Sequence, residues 1–226
     1  MNLANLLTYI KYDFKRTDKD TELTQAINDS ILAIAIKMPH KNYKYQSWRA
    51  VVSGQEDYDL PSNIIHLMHP VRYLEGNDPG DSGYPLEHIT KEQYDDEEPA
   101  PNRTTPDSTG TPTKYTVYSN SILLTPIPGD TEVSEGGLLE INWTKQPVDL
   151  TGSQTPDLED SWREIIKWMT LDRVNAGIGL YDEAKYWESK YQDPISREPI
   201  GLYKSLLDLE RDKESITIGK VETKSL

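Results

Sequence analysis

Two histidines three residues apart raise the first question of chemistry. In His66-Leu-Met-His69 the spacing would put two imidazoles on one face of a helix, where they could ligate a metal. The surroundings, Ile64, Ile65 and Pro70, read instead as a strand, in which residues three apart point to opposite faces. No carboxylate at a recognisable spacing completes a metal set, so ordinary, partly buried histidines are the expectation. Acidic pairs come next: Glu56 with Asp57, Asp95 through Glu98, and Asp157 with Glu159. Two carboxylates cleave a glycoside when one is held protonated and the other ionised at a set separation. The run Asp95 through Glu98 lies in a Pro- and Thr-rich stretch and reads as solvated charge. Serine-nucleophile, phosphate-loop and dinucleotide-binding patterns are absent. Gly177-Ile178-Gly179 follows a helical pattern rather than a strand, so it reads as a helix stop. Trp162, Trp168, Tyr186, Trp187 and Tyr191 could stack on sugars or bases. At helical spacing they read as core or subunit-contact aromatics, large rigid anchors suited to protein interfaces.

Composition narrows the classes further. The chain has 226 residues, enough for one large domain or one domain with an insertion. Its 14 Tyr and 5 Trp supply apolar area that the 35% hydrophobic content alone would not. The formal charge of -14, from 38 acidic and 24 basic residues, repels phosphates, so gripping a nucleic-acid backbone is not expected. Such a surface is compatible with letting a duplex slide past. With no cysteine, a disulfide framework and a thiolate zinc site are excluded. The opening residues, MNLANLLTYIKYDF, lack the continuous apolar core of a signal peptide, and no run approaches membrane-spanning length. The expected setting is therefore cytoplasm-like, and the sequons at Asn28, Asn102 and Asn142 carry no meaning there.

The elements that must position these residues follow from periodicity. Leu3, Leu6, Leu7, Ile10 and Phe14 predict a first helix. Leu23, Ile27, Ile31, Ile34, Ala35 and Met38 predict a second, capped by Asp20 or Thr21 and ended by Pro39. Strands are predicted over 47–53, up to Leu60-Pro61, through 64–75, at 85–90, and over 114–119, 121–127 and 137–147. A long loop with one helical turn near Gln93 is expected between them. Helices return at 156, with Thr155 as the N-cap and Trp162, Ile165, Ile166, Met169 and Arg173 on one face. Tyr181–Gln192 and a segment through Leu202, Leu206 and Leu209 follow. The fold class is α+β, with N- and C-terminal helices sharing a core (1–46 and 155–212). An antiparallel β-rich unit is inserted between them (47–154), and an extended tail follows (213–226). In the hairpin KYTVYSNSILLTPIPGD, Asn120 suits the turn because Asn tolerates positive φ, and Pro126 and Pro128 end the second strand and shape an edge.

The order of these features resembles the head-to-tail adaptor proteins of tailed bacteriophages, also called connector or head-completion proteins. A helical pair is followed by YDLPSNIIHLMHPVRY, PLEHIT, GTPTKYTVYSNSILLTPIPGD and LEINWTKQPVDL, then by a helix opening on acidic residues and YDEAKYWESKYQ. The resemblance covers roughly residues 1 to 192. Its matched positions are Tyr58, Leu60, Pro61, Tyr115, Leu124, Pro126, Pro128 and Pro147, and it implies that they define the fold without a catalytic role.

The resemblance implies a non-enzymatic virion protein of the head–tail neck, assembled in the host cytoplasm, with no cofactor, metal or membrane. It implies a ring, usually of twelve copies, under the portal protein. The ring would extend the DNA channel for genome ejection and dock a downstream tail or nozzle protein, with DNA passing through unread. Ile216, Thr217, Ile218 and Val221, alternating outside any core pattern, are candidates for adding a strand to a portal edge. Two other classes remain open: a cell-wall glycoside hydrolase using two carboxylates, and a β-sandwich module binding a glycan or receptor through exposed loops such as 93–113.

Overall fold

Leu3, Leu6, Ile10 and Phe14 are all buried along α1 (Leu3–Phe14), as their helical spacing requires. The computed structural model describes residues 1–37, 43–78, 80, 83–97 and 109–209. Asn2 caps α1, its side-chain oxygen accepting from the Asn5 N–H at 2.9 Å, and Lys15 closes it in the left-handed conformation. The second stripe is buried along α2 (Asp20–Lys37) through Leu23, Ile27, Ile31, Ile34 and Ala35. The expected stop at Pro39, with Met38, lies outside the described residues. Among the described residues, seven α-helices and eight strands make an α+β fold.

The chain divides into two units: Met1–Tyr43 with Gln146–Leu226, and Lys44–Lys145. The expected boundary after residue 154 therefore falls earlier. Leu150 is buried in the helical unit, and both its backbone groups bond to the side chain of Asn28 in α2. That pairing ties the return segment to the helices rather than to the sheets.

In the helical unit, α5 (Arg163–Gly177) packs against α1, α2 and α6 (Tyr181–Glu188). Residues 155–159, expected to open the helix, are not helical; a 3-10 turn, Asp160–Trp162, precedes α5 instead. The non-helical approach lets Leu158 and Trp162 both reach the core while Glu159 and Asp160 stay exposed. Ile165, Ile166 and Met169 are buried as expected, but Arg173 is exposed and Lys167 is buried in its place. The Lys167 ammonium is accommodated because Asp13 lies at 2.9 Å and the Tyr9 hydroxyl at 3.3 Å, both on α1. A last helix, α7, spans 201–209. Its buried face is Tyr203 and Leu207, while Leu202 and Leu209 are exposed, so the expected stripe through Leu202, Leu206 and Leu209 is rotated. Tyr203 supplies the reason: its ring packs edge-on against both Trp162 and Tyr191.

The second unit holds two four-stranded sheets. One has the order β1 (Lys44–Ala50), β8 (Leu138–Lys145), β3 (Ile64–Leu74), β4 (Gly83–Pro85). The other has the order β2 (Asp57–Asp59), β7 (Ser121–Thr125), β6 (Lys114–Tyr118), β5 (Glu87–His88). A single apolar cluster joins them, with Val71, Tyr73, Leu139 and Ile141 from the first and Tyr58, Tyr115, Ile122 and Leu124 from the second. The hairpin β6–β7 turns at Ser119-Asn120, with φ of 50° and 67°, the turn geometry whose twist matches paired strands. It is not an edge, as the sequence suggested. β2 bonds one side and β5 the other, so both hairpin strands are interior. This explains why Ile122-Leu123-Leu124 is apolar without alternation. Ile122 and Leu124 face the shared core, whereas Leu123 packs with Ile89 and with Tyr94 of α3 (Lys91–Glu97). The short α4 (Asp130–Ser134) follows, and Gly129 donates its N–H to Glu132 at 3.0 Å.

Candidate functional site

The two histidines that the sequence placed together are parted by the strand. His66 sits opposite Thr144 in the β3–β8 register, and His69 lies in the irregular stretch between Met68 and Arg72. Pro70, which has no N–H to give the ladder, occupies the same stretch. The residue that comes beside His69 is His88 of β5, with ring centroids 5.0 Å apart. Tyr115 of β6 completes the group: its hydroxyl bonds His69 Nδ1 and its ring lies 5.2 Å from His88. Burial first, then the neighbouring His88, holds the His69 pKa below the usual histidine value. Burial raises that of the Tyr115 phenol. At neutral pH His69 is thus a neutral imidazole beside a neutral phenol. Among the described residues no set of three His, Asp or Glu side chains could hold a metal. His88 carries no signal in the sequence, because only sheet pairing brings β5 beside the His69 bend.

Of the acidic candidates Glu56 is half-buried, and the other described ones stand in open positions. Asp57 heads β2 and is exposed, and Asp157 and Glu159 precede the 3-10 turn and are exposed. Of Asp95 through Glu98, the first three lie exposed on α3, and Glu98 lies outside the described residues. A glycosidase acid must be held protonated. The carboxylates whose titration is displaced all move the other way. Asp160 is lowered by hydrogen bonding to the N-terminal ammonium, and Asp193 by the Ser196 and Ile195 N–H groups. Buried Glu132 is also lowered: burial works to raise it, but its own backbone N–H, the Thr111 hydroxyl and Gly129 prevail.

The motif positions of the hairpin and first strand are packing positions. Tyr58, Leu60, Tyr115 and Leu124 are buried in the shared core of the sheets. The Tyr58 hydroxyl accepts from the Val52 N–H at 3.0 Å, and the Leu60 N–H donates to the Asn120 carbonyl at 2.9 Å. Pro61 and Pro126 are half-buried, and Pro128 is buried with its carbonyl accepting from the Gly54 N–H at 2.9 Å. Pro147 is half-buried beyond β8, in the helical unit. The tail residues Ile216, Thr217, Ile218 and Val221 lie outside the described residues.

The aromatic candidates fall into two groups. Trp162 and Tyr191 are core, Tyr191 also donating to Asp172 at 2.6 Å. Trp168 and Trp187 are half-buried, and Tyr186 is exposed beside Trp187 with the Lys190 ammonium over its ring. Around them Leu180, Tyr181, Tyr186, Ile195, Leu202 and Leu209 stand in solvent on α6, α7 and their flanking turns, and the same unit exposes Tyr12, Ile36 and Val148 elsewhere. Singly exposed apolar residues are ordinary, and six of them fall within this one stretch of chain. The sequence pointed to Tyr186 and Trp187, but not to Ile195, which is 94% exposed.

Comparison with known proteins bears on this arrangement. The family model described as "SU10 adaptor protein" matches residues 1–205, most of the chain. No curated protein matches it.

Proposed function

The chain belongs to the SU10 adaptor protein family, a phage head-to-tail adaptor family, and on that premise we propose that it forms a ring beneath the portal. Membership carries a structural role in the virion neck. The finer reading is that twelve copies surround the DNA path, extend the portal channel and present a platform to the next tail protein. One observation supports it above the others: six large apolar residues are exposed between Leu180 and Leu209 of a strongly acidic protein. A ring needs two different faces of each subunit to meet, and such residues are covered when it closes. The charge of -14 suits a wall that DNA passes without being held. No residue is assigned a catalytic role, and none of the displaced carboxylates is held as an acid.

The subunit alone is monomeric and assembles on its portal as a template. Mass photometry of the protein alone, and mixed with the portal protein of the same phage, tests this. The expected result is a single low-mass species alone and a portal-plus-ring mass in the mixture. A mixture with no high-mass complex overturns the reading.

A further inference from the structure

The turn between α6 and α7 is built to hold one apolar side chain in water. Asp193 Oδ1 accepts from the Ile195 N–H at 2.9 Å, the Ser196 N–H at 2.7 Å and the Ser196 hydroxyl at 3.1 Å. The Asp193 N–H donates to the Glu198 carbonyl, and the Arg197 N–H to the Asp193 carbonyl, both at 2.9 Å. Arg197 adopts a φ of 60° and pairs with Glu188 of α6. Gln192 and Pro199 form a bridge at the base. A loop with this many internal bonds loses little freedom when it docks. At its tip Ile195 is 94% exposed, so the bonds serve to present it and not to bury it.

The same unit carries a groove that fits such a side chain. It lies between α2 and α5 and has a volume of about 360 Å3, and its lining joins Ala26, Val174, Gly177 and Ile178 with the polar Lys19, Glu22, Gln25 and Asp29. Arg173 stands on its rim, and no carboxylate among the described residues forms an ion pair with it. Glu198, exposed three residues beyond Ile195, likewise has no ion-pair partner among the described residues. Within the groove Lys19 and Glu22 pair with each other at 2.7 Å and Asp29 accepts from Gln25 at 2.9 Å, so the knob is an isoleucine beside a spare carboxylate, and the groove offers apolar side chains beside the spare guanidinium of Arg173. Knob and groove occupy different places on one subunit, which is the requirement for a contact that repeats around a ring.

We propose that the Ile195 turn of one copy docks in the α2–α5 groove of the next copy, with Glu198 meeting Arg173 at the rim. This rests on the ring reading above and names the two surfaces that close it.

The chain has no cysteine, so introduced thiols report on this contact alone. Pro194→Cys, which keeps Ile195 in place, and Gly177→Cys are suitable sites. Pro194 is exposed, and a Cβ at Gly177 would meet nothing within 4 Å. On the portal, a short bis-maleimide should link the double variant into a ladder reaching the full ring. Each single variant should stay unlinked, and a mixture of the two singles should yield linked pairs. Separately, Ile195→Asp should cut the ring-sized population at least about tenfold, as removal of an interface anchor does, while leaving the subunit's melting temperature unchanged. If wild-type rings form on the portal but the double variant links no more than the singles, or Ile195→Asp assembles normally, the docking proposal is overturned and the ring stands. If wild-type protein and portal form no high-mass complex, the ring reading falls and this contact with it.

Discussion

Asn28 is a polar residue on the buried side of α2, and replacing it with alanine gives the sharpest test of how the helical unit is held together. Its side chain is 8% exposed and grips one backbone position across the chain: Oδ1 accepts from the Leu150 N–H at 2.9 Å, and Nδ2 donates to the Leu150 carbonyl at 3.4 Å. The first bond has good geometry and the second is long. A good side-chain-to-backbone bond is worth about 1 kcal/mol net, and a buried N–H left without a partner costs about 1–3 kcal/mol. The long bond adds little. Asn28→Ala should therefore destabilise the helical unit by about 2–3 kcal/mol, a fall of about 5–10 °C in melting temperature for a protein of this size. The assay is a thermal melt followed by circular dichroism at a helix-sensitive wavelength, where the helical unit dominates the signal. Gln25→Ala is the control. It lies one turn away, and its bond to Asp29 at 2.9 Å is exposed, so the expected change is within about 0.5 kcal/mol. If Asn28→Ala melts within a degree of the control, Leu150 is not anchored through Asn28 and the placement of the return segment in the helical unit loses its support.

Two further outcomes follow from the β unit. Gly137→Ala would place a Cβ 2.3 Å from the Tyr73 hydroxyl oxygen and 3.1 Å from the Glu132 carbonyl. The substitution should cost about 1–3 kcal/mol by overpacking, and urea titration of the variant should show the lowered midpoint. The His69 pKa is lower folded than unfolded, so its contribution to stability is complete above the unfolded value of about 6.5 and is lost as pH falls toward the folded value. Glu87, on the same strand as His88, and Lys114, its register partner, are the charged groups nearest this cluster along β5 and β6. Lys114 is already paired with Glu97 at 2.6 Å. The β unit should lose stability from pH 7 to pH 5, and His69→Gln should flatten that slope; equal slopes would discard the assignment.

Much of the architecture could be read from spacing. The apolar positions of α1 and α2 recur every three to four residues, and Leu3, Leu6, Ile10, Phe14, Leu23, Ile27, Ile31, Ile34 and Ala35 prove buried, while Leu7 is half-buried and Met38 lies outside the described residues. The Ser119-Asn120 turn was readable from residue type, since positive φ restricts the choice of side chain. Failures fall where burial comes from a distant partner. Arg173 lies on the helical stripe but is exposed, whereas Lys167 is buried because Asp13 and Tyr9 on α1 accept its ammonium. The stripe of α7 is turned by Tyr203 meeting Trp162 and Tyr191. The hairpin read as an edge because its Pro-ended strand looks terminal; β2 and β5, only three and two residues long, are too short to announce themselves.

Sequence alone determined the class of molecule. The missing cysteines, the charge of -14 and the order of helices, strands and motifs are properties of the chain that folding cannot change, and the order of the motifs carries the likeness to phage adaptors. Tertiary structure alone decided which side chains meet: His69 with His88 and Tyr115, Asn28 with Leu150, and Ile195 with solvent. Periodicity reports which face of an element turns away from water. It holds no record of what lies opposite that face, and that pairing is set by the packing of elements far apart in the chain.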